Sequence, residues 1–425
     1  MTPDLLELDR RHVWHPYTQH FDAPPPPLVT RAEGAYLYDA RGRRILDAIS
    51  SWWVTLHGHA HPAIATAVAK QAAVLEQVIF AGFTHEPAAR LAQALVGVLP
   101  DGLSRVFFSD DGSTAVEVAL KMALQYWEGR GERRPLIAAL EHAYHGDTFG
   151  AMSASARGVF TAPFAPQLFE VARLPDPSEG GGATLAALEQ LLDRRGSEVA
   201  AVIVEPLLLG AGGMRVWEAE TLRGIRERTS AAGALLIADE VLTGFGRTGP
   251  AFACGGAGVE PDIMCLSKGL TGGFLPLGAT VAREEVFAAF SSPDRRRTLF
   301  HGHSYTANPV ACAAALASLA LLDDASAESR RMIEATHRAQ LARLATHPRV
   351  QRPRVIGTIA AFDLDAAPDY LNAAGRALGA FALERGVLLR PLGNVVYLLP
   401  PYCTTADDLR CAYEVIEQFL SESPA

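Results

Sequence analysis

Cysteine is scarce in this chain, and the few cysteines present follow no pattern. Five occur in 425 residues, an odd number without any Cys-x-x-Cys pair, at Cys254, Cys265, Cys312, Cys403 and Cys411. A disulfide framework needs paired cysteines at characteristic spacings. We therefore expect reduced thiols and a cytoplasmic location.

Long apolar runs and an excess of positive charge are also missing. The longest helix-like apolar run, residues 311–322, falls short of the roughly 20 residues that cross a bilayer, so it predicts a buried helix. The N-terminal residues are acidic and polar where a secretory signal would be apolar. The formal net charge of -9 gives no indication of a nucleic-acid or anionic-membrane surface. The sequence predicts neither kind of partner.

The chain is long enough for more than one folding unit. At 425 residues it exceeds what a single hydrophobic core usually organises. Asp22-Ala23 and the four prolines at 24–27 form a stiff extended segment, so the residues before it should be an arm. A glycine-rich loop at 178–183 precedes an amphipathic helix predicted to begin near Thr184.

We expect three parts along the chain. These are an N-terminal arm with part of a small domain (1–50), a large domain (51–325) and a C-terminal small domain (326–425).

Short apolar runs alternate with helical periods through most of the chain. Val116, Leu120, Leu124 and Trp127 fall on one stripe of a helix. Five runs are continuously apolar, as expected for strands covered on both faces: 105–109, 136–140, 199–205, 234–239 and 262–267. The alternation predicts an α/β fold with a mostly parallel sheet, in which ligands bind at the carboxyl ends of the strands.

Four segments place reactive or polar side chains just after predicted strands. Gly112 and Ser113 open a helix, where free backbone N–H groups and the helix dipole favour an anion. Tyr144 lies in a polar loop, where its ring could stack on a flat ligand. Asp239 ends a strand and would be costly to bury without a positive partner. Lys268 follows another strand, where desolvation can make its amine nucleophilic.

Each of these segments alone also has an ordinary interpretation. A glycine-serine helix start is usually a cap, a strand-end acid often caps the next loop, and most lysines near strand ends are solvated. Their order along the chain is more informative. An anion turn, an aromatic loop, a strand-end Asp and a later strand-end Lys supply the parts that a pyridoxal-phosphate site needs.

With these motifs in order, the chain resembles a class III pyridoxal-phosphate-dependent aminotransferase. Residues 237–249 and 261–273 resemble the cofactor signature of that class, and residues 205–213 resemble a further segment of it. The similarity extends from about Trp14 to about Tyr402. It implies the aspartate-aminotransferase-like fold type I, with a mostly parallel large domain and a smaller α+β domain.

The resemblance implies a role for each predicted cofactor residue. Lys268 would form the Schiff base and shuttle the proton, and Asp239 would pair with the pyridinium nitrogen. Tyr144 would stack on the ring. Gly112 and Ser113 would hold the phosphate within one subunit.

A later segment resembles the part of the class that reaches the partner subunit's phosphate. It includes Gly302, a predicted substrate contact, and Ser304, which keeps a hydroxyl where members usually carry Thr. His303 stands where many relatives carry Pro, and Leu209 where they commonly carry Gln. A shared phosphate site implies a homodimer.

Three segments outside the cofactor site resemble the branch of the class that acts in biotin biosynthesis. They contain Tyr17, Trp52 and Arg390. The resemblance implies two half-reactions, with S-adenosylmethionine or lysine as amino donor and 8-amino-7-oxononanoate as acceptor. Tyr17 and Trp52 would wall an apolar slot, and Arg390 would bind a carboxylate. Tyr144 and Asp147 could bind polar groups of the substrates.

Other interpretations stay open at this point. Another class III enzyme, acting on ornithine, β-alanine or γ-aminobutyrate, would share Lys268 and Asp239 but need other anchors. An aminomutase would need no second substrate. The histidines within 57–61 and 142–147 suggest a metal-dependent hydrolase, although no helical His-Glu-x-x-His accompanies them. A binding protein with a vestigial site is the remaining alternative.

Overall fold

A computed structural model gives the structure of residues 4–422. Residues 1–3 and 423–425, the ends of the predicted arm and of the predicted C-terminal domain, lie outside the described residues.

The α-helices are α1 Leu5–His12, α2 Ser50–Trp53, α3 Pro62–Ala72, α4 Glu86–Val96, α5 Gly112–Gly129, α6 Phe149–Ala154, α7 Gly182–Arg195, α8 Ala219–Ala231, α9 Ala253–Gly256, α10 Glu284–Ala288, α11 Pro309–Ala320, α12 Asp324–Leu344, α13 Ala373–Glu384 and α14 Ala406–Glu422. Short 3₁₀ helices cover Ala162–Gln167, Pro177–Glu179, Gly196–Glu198, Lys268–Thr271 and Arg295–Arg297. The strands are β1 Val29–Glu33, β2 Tyr36–Asp39, β3 Arg44–Asp47, β4 Leu103–Ser109, β5 Leu136–Leu140, β6 Val171–Leu174, β7 Val199–Val204, β8 Leu208–Leu209, β9 Arg215–Val216, β10 Leu235–Asp239, β11 Ile263–Leu266, β12 Gly278–Arg283, β13 Val350–Ile356, β14 Ile359–Leu364, β15 Val387–Leu388 and β16 Val395–Leu398.

A seven-stranded sheet forms the centre of the fold, in the order β4-β12-β11-β10-β7-β5-β6. The strands from β11 to β6 in that order are parallel, and β12 is antiparallel to both of its neighbours. The five predicted strand runs correspond to β4, β5, β7, β10 and β11, with ends shifted by no more than two residues. The predicted α/β fold with a mostly parallel sheet is therefore confirmed.

Both faces of this sheet are covered by apolar side chains. Along β10, Leu236 and Ala238 belong to one hydrophobic cluster, whereas Leu235 and Ile237 belong to a second cluster that contains much of α5. Alternate residues of a strand point to opposite faces, so a strand covered on both sides must be apolar throughout. Each fully buried Leu or Ile side chain contributes about 1.5–3 kcal/mol. The predicted stripe on α5 faces the second cluster.

Three smaller sheets complete the structure. β13, β14 and β16 form an antiparallel sheet, and β8 pairs with β9. β1, β2 and β3 form the third sheet, to which the C-terminal strand β15 adds in parallel to β3. Residues from the two ends of the chain thus share one sheet. The predicted domain boundaries stay a prediction.

The apolar run at 311–322 forms most of α11. The helix buries Cys312, Ala315 and other small residues, but it ends at Ala320, because the chain turns at Leu321. Among residues 4–422, no single helix is both long and apolar enough to span a membrane. Only α11 and α12 taken together, with a bend of 73° between them, reach the length and composition required.

Candidate active site

Five residues predicted from the sequence line one cavity of about 510 Å³: Gly112, Ser113, Tyr144, Asp239 and Lys268. They follow or end β4, β5, β10 and β11, and parallel strands bring their carboxyl ends to the same edge of a sheet. The cavity therefore lies where the strand alternation predicts a ligand.

The Asp239 carboxylate is buried at the end of β10 and has a specific partner. The Nδ1–H of His145 donates to Asp239 Oδ2 at 2.7 Å, and the backbone N–H of Val241 donates to Oδ1 at 3.1 Å. A buried carboxylate needs such donors, because burial without them is costly. The other ring nitrogen of His145, Nε2, is buried without a hydrogen-bond partner.

Lys268 follows β11 with its backbone in the left-handed region, at φ 40°. Its side chain is partly buried, and its Nζ lies 4.8 Å from the centre of the Trp53 ring. Desolvation of the amine lowers the pKa of Lys268. The negative charges of Asp239 and Glu205 act in the opposite direction, but desolvation is the larger effect. A neutral amine is the nucleophilic form of lysine.

The start of α5 is held by its own cap. Asp111 accepts from the backbone N–H of Thr114 at 2.8 Å, and the Thr114 hydroxyl accepts from the backbone N–H of Asp111 at 3.1 Å. Gly112 packs so closely on Val241 that an added Cβ would lie 2.7 Å from Val241 Cγ1. This fixed helix start presents Gly112 and Ser113 to the cavity, a geometry suited to an anion.

The predicted substrate residues form a cluster joined to the cavity through Tyr17. The Tyr17 hydroxyl donates to the Asp147 carboxylate and lies 3.4 Å from the Tyr144 hydroxyl. The Tyr17 and Trp52 ring centroids are 5.3 Å apart, and Arg390 Cζ lies 4.5 Å from the Trp52 ring centroid. Burial and the Asp147 hydrogen bond raise the pKa of Tyr17 to about 12. Its hydroxyl therefore stays protonated at neutral pH and donates a hydrogen bond to Asp147.

Gly302 and Ser304 do not line this cavity within a single chain. The backbone carbonyl of Ser304 accepts from Gln77 Nε2 at 2.8 Å, and His303 Nε2 lies 3.9 Å from Asp110 Oδ1. The contacts predicted for Gly302 and Ser304 involve a second subunit and stay predictions.

Three residues of the site are missed by the sequence interpretation: Trp53, His145 and Glu205. Trp53 is only 4% exposed, against 39% for its neighbour Trp52, and its Nε1–H donates to the Tyr397 hydroxyl at 2.9 Å. Left-handed φ angles at Ser51 and Trp53, 59° and 69°, turn the two tryptophan rings into different environments. A pair of adjacent tryptophans gives no indication in sequence of which one faces the lysine.

Glu205 lies below the loop that carries Tyr144. Its two carboxylate oxygens accept from the backbone N–H groups of Tyr144 and Gly210, at 2.9 and 3.0 Å. Burial raises the pKa of Glu205 to about 7. An acid directly after the all-apolar strand β7 is the sequence signal that could have indicated it.

Two of the histidines behind the metal-site hypothesis are bound to separate partners. His57 Nε2 lies 3.1 Å from the Ser318 hydroxyl, and His59 Nε2 lies 2.8 Å from Asp47 Oδ2. Within the described part of the chain, residues 4–422, no group of three or more His, Cys, Asp or Glu residues is arranged to hold a metal ion.

The side chains around the cavity match the chemistry of pyridoxal phosphate. A desolvated amine, a buried carboxylate, a helix N-terminus and an aromatic ring face one space of about 510 Å³. These are the groups required by an aldehyde, a pyridine nitrogen, a phosphate and a flat ring. A family model described as "Aminotransferase class-III" matches residues 17–420.

The chain belongs to the class III aminotransferases.

Relatives of this aminotransferase extend over nearly its whole length. A curated protein of Synechococcus elongatus, named adenosylmethionine-8-amino-7-oxononanoate aminotransferase, is 55% identical and covers 97% of this chain and 99% of its own. A solved structure of the enzyme of that name from Methanocaldococcus jannaschii is 34% identical, with a TM-score of 0.92 and coverage of 97% and 98%. These similarities confirm the predicted family and its fold.

A second solved structure bears on the cofactor. It is an amine transaminase from an uncultivated Pseudomonas species in its PLP-bound form, 33% identical, with a TM-score of 0.90 and coverage of 97% and 99%.

Proposed function

We propose that this aminotransferase converts 8-amino-7-oxononanoate to 7,8-diaminononanoate, with pyridoxal phosphate as cofactor and S-adenosylmethionine as amino donor. One observation carries the proposal: Tyr17 and Arg390 each contact Trp52 beside the cavity that contains Lys268 and Asp239. The name of the relative that is 55% identical supports the same acceptor and donor.

Pyridoxal phosphate, when bound, withdraws electrons from the amino-bearing carbon of the substrate. Gly112 and Ser113 would hold its phosphate, and the Tyr144 ring would lie against its face. Asp239, oriented by His145 at 2.7 Å, would keep a proton on the pyridine nitrogen. The protonated nitrogen is what makes the ring an effective electron acceptor.

Lys268 would move the proton in both half-reactions. Because its pKa is lowered by desolvation, its amine is neutral over a wider pH range and can take a proton from the amino-bearing carbon. The same amine would then deliver this proton to an atom next to the one from which it was taken. Pyridoxal phosphate held at this site would supply the carrier of the amino group between donor and acceptor, and Lys268 would serve both half-reactions.

The acceptor has an aliphatic chain that ends in a carboxylate, and the cluster beside the cavity matches both parts. The guanidinium of Arg390 offers a planar pair of N–H donors to the carboxylate. The rings of Trp52 and Tyr17 provide apolar walls for the chain. Asp147 and Tyr144 stand near the reacting end, where the amino and keto groups would lie.

We further propose that the enzyme is a homodimer. Segment 74–83 and segment 300–308 are neighbours, because Asn308 Nδ2 donates to the Glu76 carbonyl at 2.9 Å and Gln77 donates to Ser304. Together they expose large apolar side chains: Val74, Ile79, Phe83, Phe300 and Tyr305. Exposed apolar patches of this kind are characteristic of protein interfaces. A second copy covering this patch would bring Gly302 and Ser304 to its partner's cavity.

A cytoplasmic location is also proposed. The five cysteines are free, and three of them, Cys254, Cys265 and Cys312, are buried. Buried free thiols suit a reducing compartment.

The decisive experiment is a single-turnover absorbance measurement on purified holoenzyme with S-adenosylmethionine and no acceptor. We expect conversion of the lysine-bound cofactor spectrum to that of the aminated cofactor, followed by reversal when 8-amino-7-oxononanoate is added. Lys268→Ala should abolish multiple turnover, because both the anchoring amine and the proton carrier are lost. Substantial multiple turnover in Lys268→Ala would contradict the assignment.

The same experiment separates the alternatives. If the cofactor spectrum changes on addition of lysine but not of S-adenosylmethionine, the assignment of the amino donor is wrong and the rest of the proposal stands. A response to ornithine, β-alanine or γ-aminobutyrate, without reversal by 8-amino-7-oxononanoate, would indicate another class III activity.

A further inference from the structure

A second cavity, of about 660 Å³, adjoins the first. The two cavities share Tyr144, Gly146 and Ala211 as wall residues. This volume lies within the range of roughly 300–1,000 Å³ that is usual for small-molecule sites. The second cavity is therefore large enough for a substrate portion that extends away from the lysine.

An uninterrupted line of aromatic rings runs from the acceptor cluster into this cavity. The ring centroids of Trp52 and Tyr17 are 5.3 Å apart, those of Tyr17 and Phe160 are 5.7 Å apart, and those of Phe160 and Tyr370 are 4.6 Å apart. Phe160 and Tyr370 line the second cavity and are partly buried. Tyr17 thus lies between two groups of side chains. We call Trp52 and Arg390 the Arg390 branch, and Phe160 and Tyr370 the Phe160–Tyr370 branch.

The charges around the second branch favour a cation near its junction with the first cavity. Asp147 lines the second cavity and accepts from the Tyr17 hydroxyl, and within residues 4–422 it forms no ion pair. The lining also holds four arginines, all of them engaged elsewhere. Arg215 pairs with Asp176 at 2.9 Å, and Arg352 and Arg354 share Asp363. Arg157 donates to the backbone carbonyls of Met152, Ser153 and Phe169.

The two substrates of the proposed reaction need different spaces. Both must bring an amino-bearing or keto carbon to Lys268, but one carries an aliphatic carboxylate and the other a sulfonium attached to a nucleoside. A flat base stacks well on aromatic side chains, and a sulfonium is attracted to a carboxylate. The Arg390 branch matches the first substrate, and the Phe160–Tyr370 branch matches the second.

We propose that the second cavity binds the nucleoside end of the amino donor, with the base against Phe160 and Tyr370 and the sulfonium near Asp147. This inference rests on the proposed function and specifies how one site accepts two dissimilar substrates. Phe160 and Tyr370 are then donor-specificity residues that leave the acceptor untouched.

The test compares Phe160→Leu, Tyr370→Leu and the double variant with Phe164→Leu as a matched control. Phe164 lies four residues from Phe160, contacts Phe149 and does not line the second cavity. We expect KM for S-adenosylmethionine to rise about 10-fold in each single variant, since stacking on an aromatic ring is worth roughly that factor or more. KM for 8-amino-7-oxononanoate should change less than about two-fold, and the control should match the wild type.

A binding measurement decides the inference without turnover. Adenosine, followed by calorimetry on the holoenzyme, should bind the wild type and Phe164→Leu, and its binding should be about 10-fold weaker in Phe160→Leu. Arg390→Lys should leave adenosine binding intact while raising KM for the acceptor.

The outcomes distinguish the inference from the proposed function. Unchanged donor KM and unchanged adenosine binding in the double variant would overturn the inference, even if the wild type transfers the amino group as proposed. Failure of the wild type to bind adenosine, with lysine acting as donor, would also overturn it. Failure of the wild type to aminate 8-amino-7-oxononanoate with any donor would instead overturn the proposed function, while adenosine binding that depends on Phe160 would still support a nucleoside site.

Discussion

At the scale of single residues, the site contains two buried acids that are held by specific hydrogen-bond donors. Asp239 is 4% exposed and relies on His145, and Glu205 relies on two backbone N–H groups. The breaking of a buried pair leaves an uncompensated polar group and costs about 3–5 kcal/mol. These residues therefore link the stability of the cavity to its chemistry.

His145→Leu should weaken cofactor binding as well as stability. Without the imidazole, the buried Asp239 carboxylate loses the donor that orients it toward the proposed position of the pyridine nitrogen. We expect the Kd for pyridoxal phosphate to rise at least about 10-fold, together with a lower unfolding midpoint. The measurement is cofactor titration of the apoenzyme.

His337→Leu is the control for this variant. His337 is buried far along the chain on α12, where its Nδ1 lies 2.8 Å from the Tyr413 hydroxyl. The substitution His337→Leu should lower the unfolding midpoint without changing the Kd for pyridoxal phosphate. Equal Kd values in both variants would refute the role given to His145.

Glu205→Gln should change how stability depends on pH. Burial raises the pKa of Glu205 to about 7, above its usual 4.5, so the folded state binds this proton more tightly than the unfolded state. The resulting stabilisation is complete below about pH 4.5 and is lost as the pH rises through about 7, with an upper limit of about 3 kcal/mol. Glutamine cannot ionise, so the variant does not lose this stabilisation as the pH rises. The thermal unfolding midpoint of Glu205→Gln, compared with that of the wild type, should therefore be relatively higher at pH 8 than at pH 5.

Thermal unfolding of the apoenzyme at the two pH values tests this. Glu227→Gln, an exposed substitution on α8, should give a difference that does not vary with pH. A pH-independent difference for Glu205→Gln would mean that the carboxyl is not held neutral by burial.

At the scale of elements, the start of α5 joins the stability of a helix to the predicted phosphate site. The Asp111–Thr114 capping box fixes the first turn, and Gly112 and Ser113 lie within that turn. The sharp Ser50–Trp53 segment is the other element of this kind, with left-handed backbone angles at Ser51 and Trp53. Strained backbone of this type costs about 1–3 kcal/mol and is common at functional sites.

Asp111→Ala should reduce cofactor affinity through the helix start. Loss of an N-cap costs about 0.5–2 kcal/mol and loosens the first turn. We expect a several-fold rise in the Kd for pyridoxal phosphate, measured by titration of the apoenzyme.

Asp323→Ala provides the matched comparison. Asp323 caps α12 by accepting from the Ser326 backbone N–H at 2.9 Å, and both aspartates are exposed. It should cost similar stability but leave the cofactor Kd unchanged. If the two variants bind the cofactor equally well, the start of α5 does not hold the phosphate.

At the scale of the whole molecule, the proposed dimer would place Gly302 and Ser304 at the cavity of the partner subunit. The predicted contacts of Gly302 and Ser304 are absent from the cavity of their own chain. The neighbouring segments expose Phe300 at 75% and Tyr305 at 66%. In the proposed dimer, a second copy would cover these side chains, and its Ser304 hydroxyl would face the phosphate site.

Phe300→Glu should therefore produce a monomer with little activity. A charge buried in the proposed apolar interface would be costly to desolvate. The sedimentation coefficient and the turnover rate should both fall in Phe300→Glu. The control, Phe287→Glu, changes an exposed phenylalanine on α10 and should remain dimeric and active. An active monomer, in the variant or in the wild type, would contradict the shared site.

The family was recognised from its resemblance and the central strands from their apolar runs, and both predictions are confirmed, whereas the roles of the site residues stay predictions. β4, β5, β7, β10 and β11 are continuous apolar runs; Gly112, Tyr144 and Lys268 come after β4, β5 and β11, and Asp239 ends β10. Strand periodicity and turn chemistry are local properties of the chain, so they can be recognised without a structure. β6 and β12 were not predicted, because Arg173 interrupts the four residues of β6, and β12 begins with Gly278 and contains Thr280.

The pairing of distant side chains was decided only by the tertiary structure. His145 meets Asp239 across 94 positions of sequence, and Trp53 rather than Trp52 faces Lys268 because of the backbone at Ser51 and Trp53. The line from Tyr17 through Phe160 to Tyr370 joins three remote loops. A sequence determines which groups are available and where strands end. Packing alone decides which groups meet, because contacts between remote segments leave no periodic signal in either one.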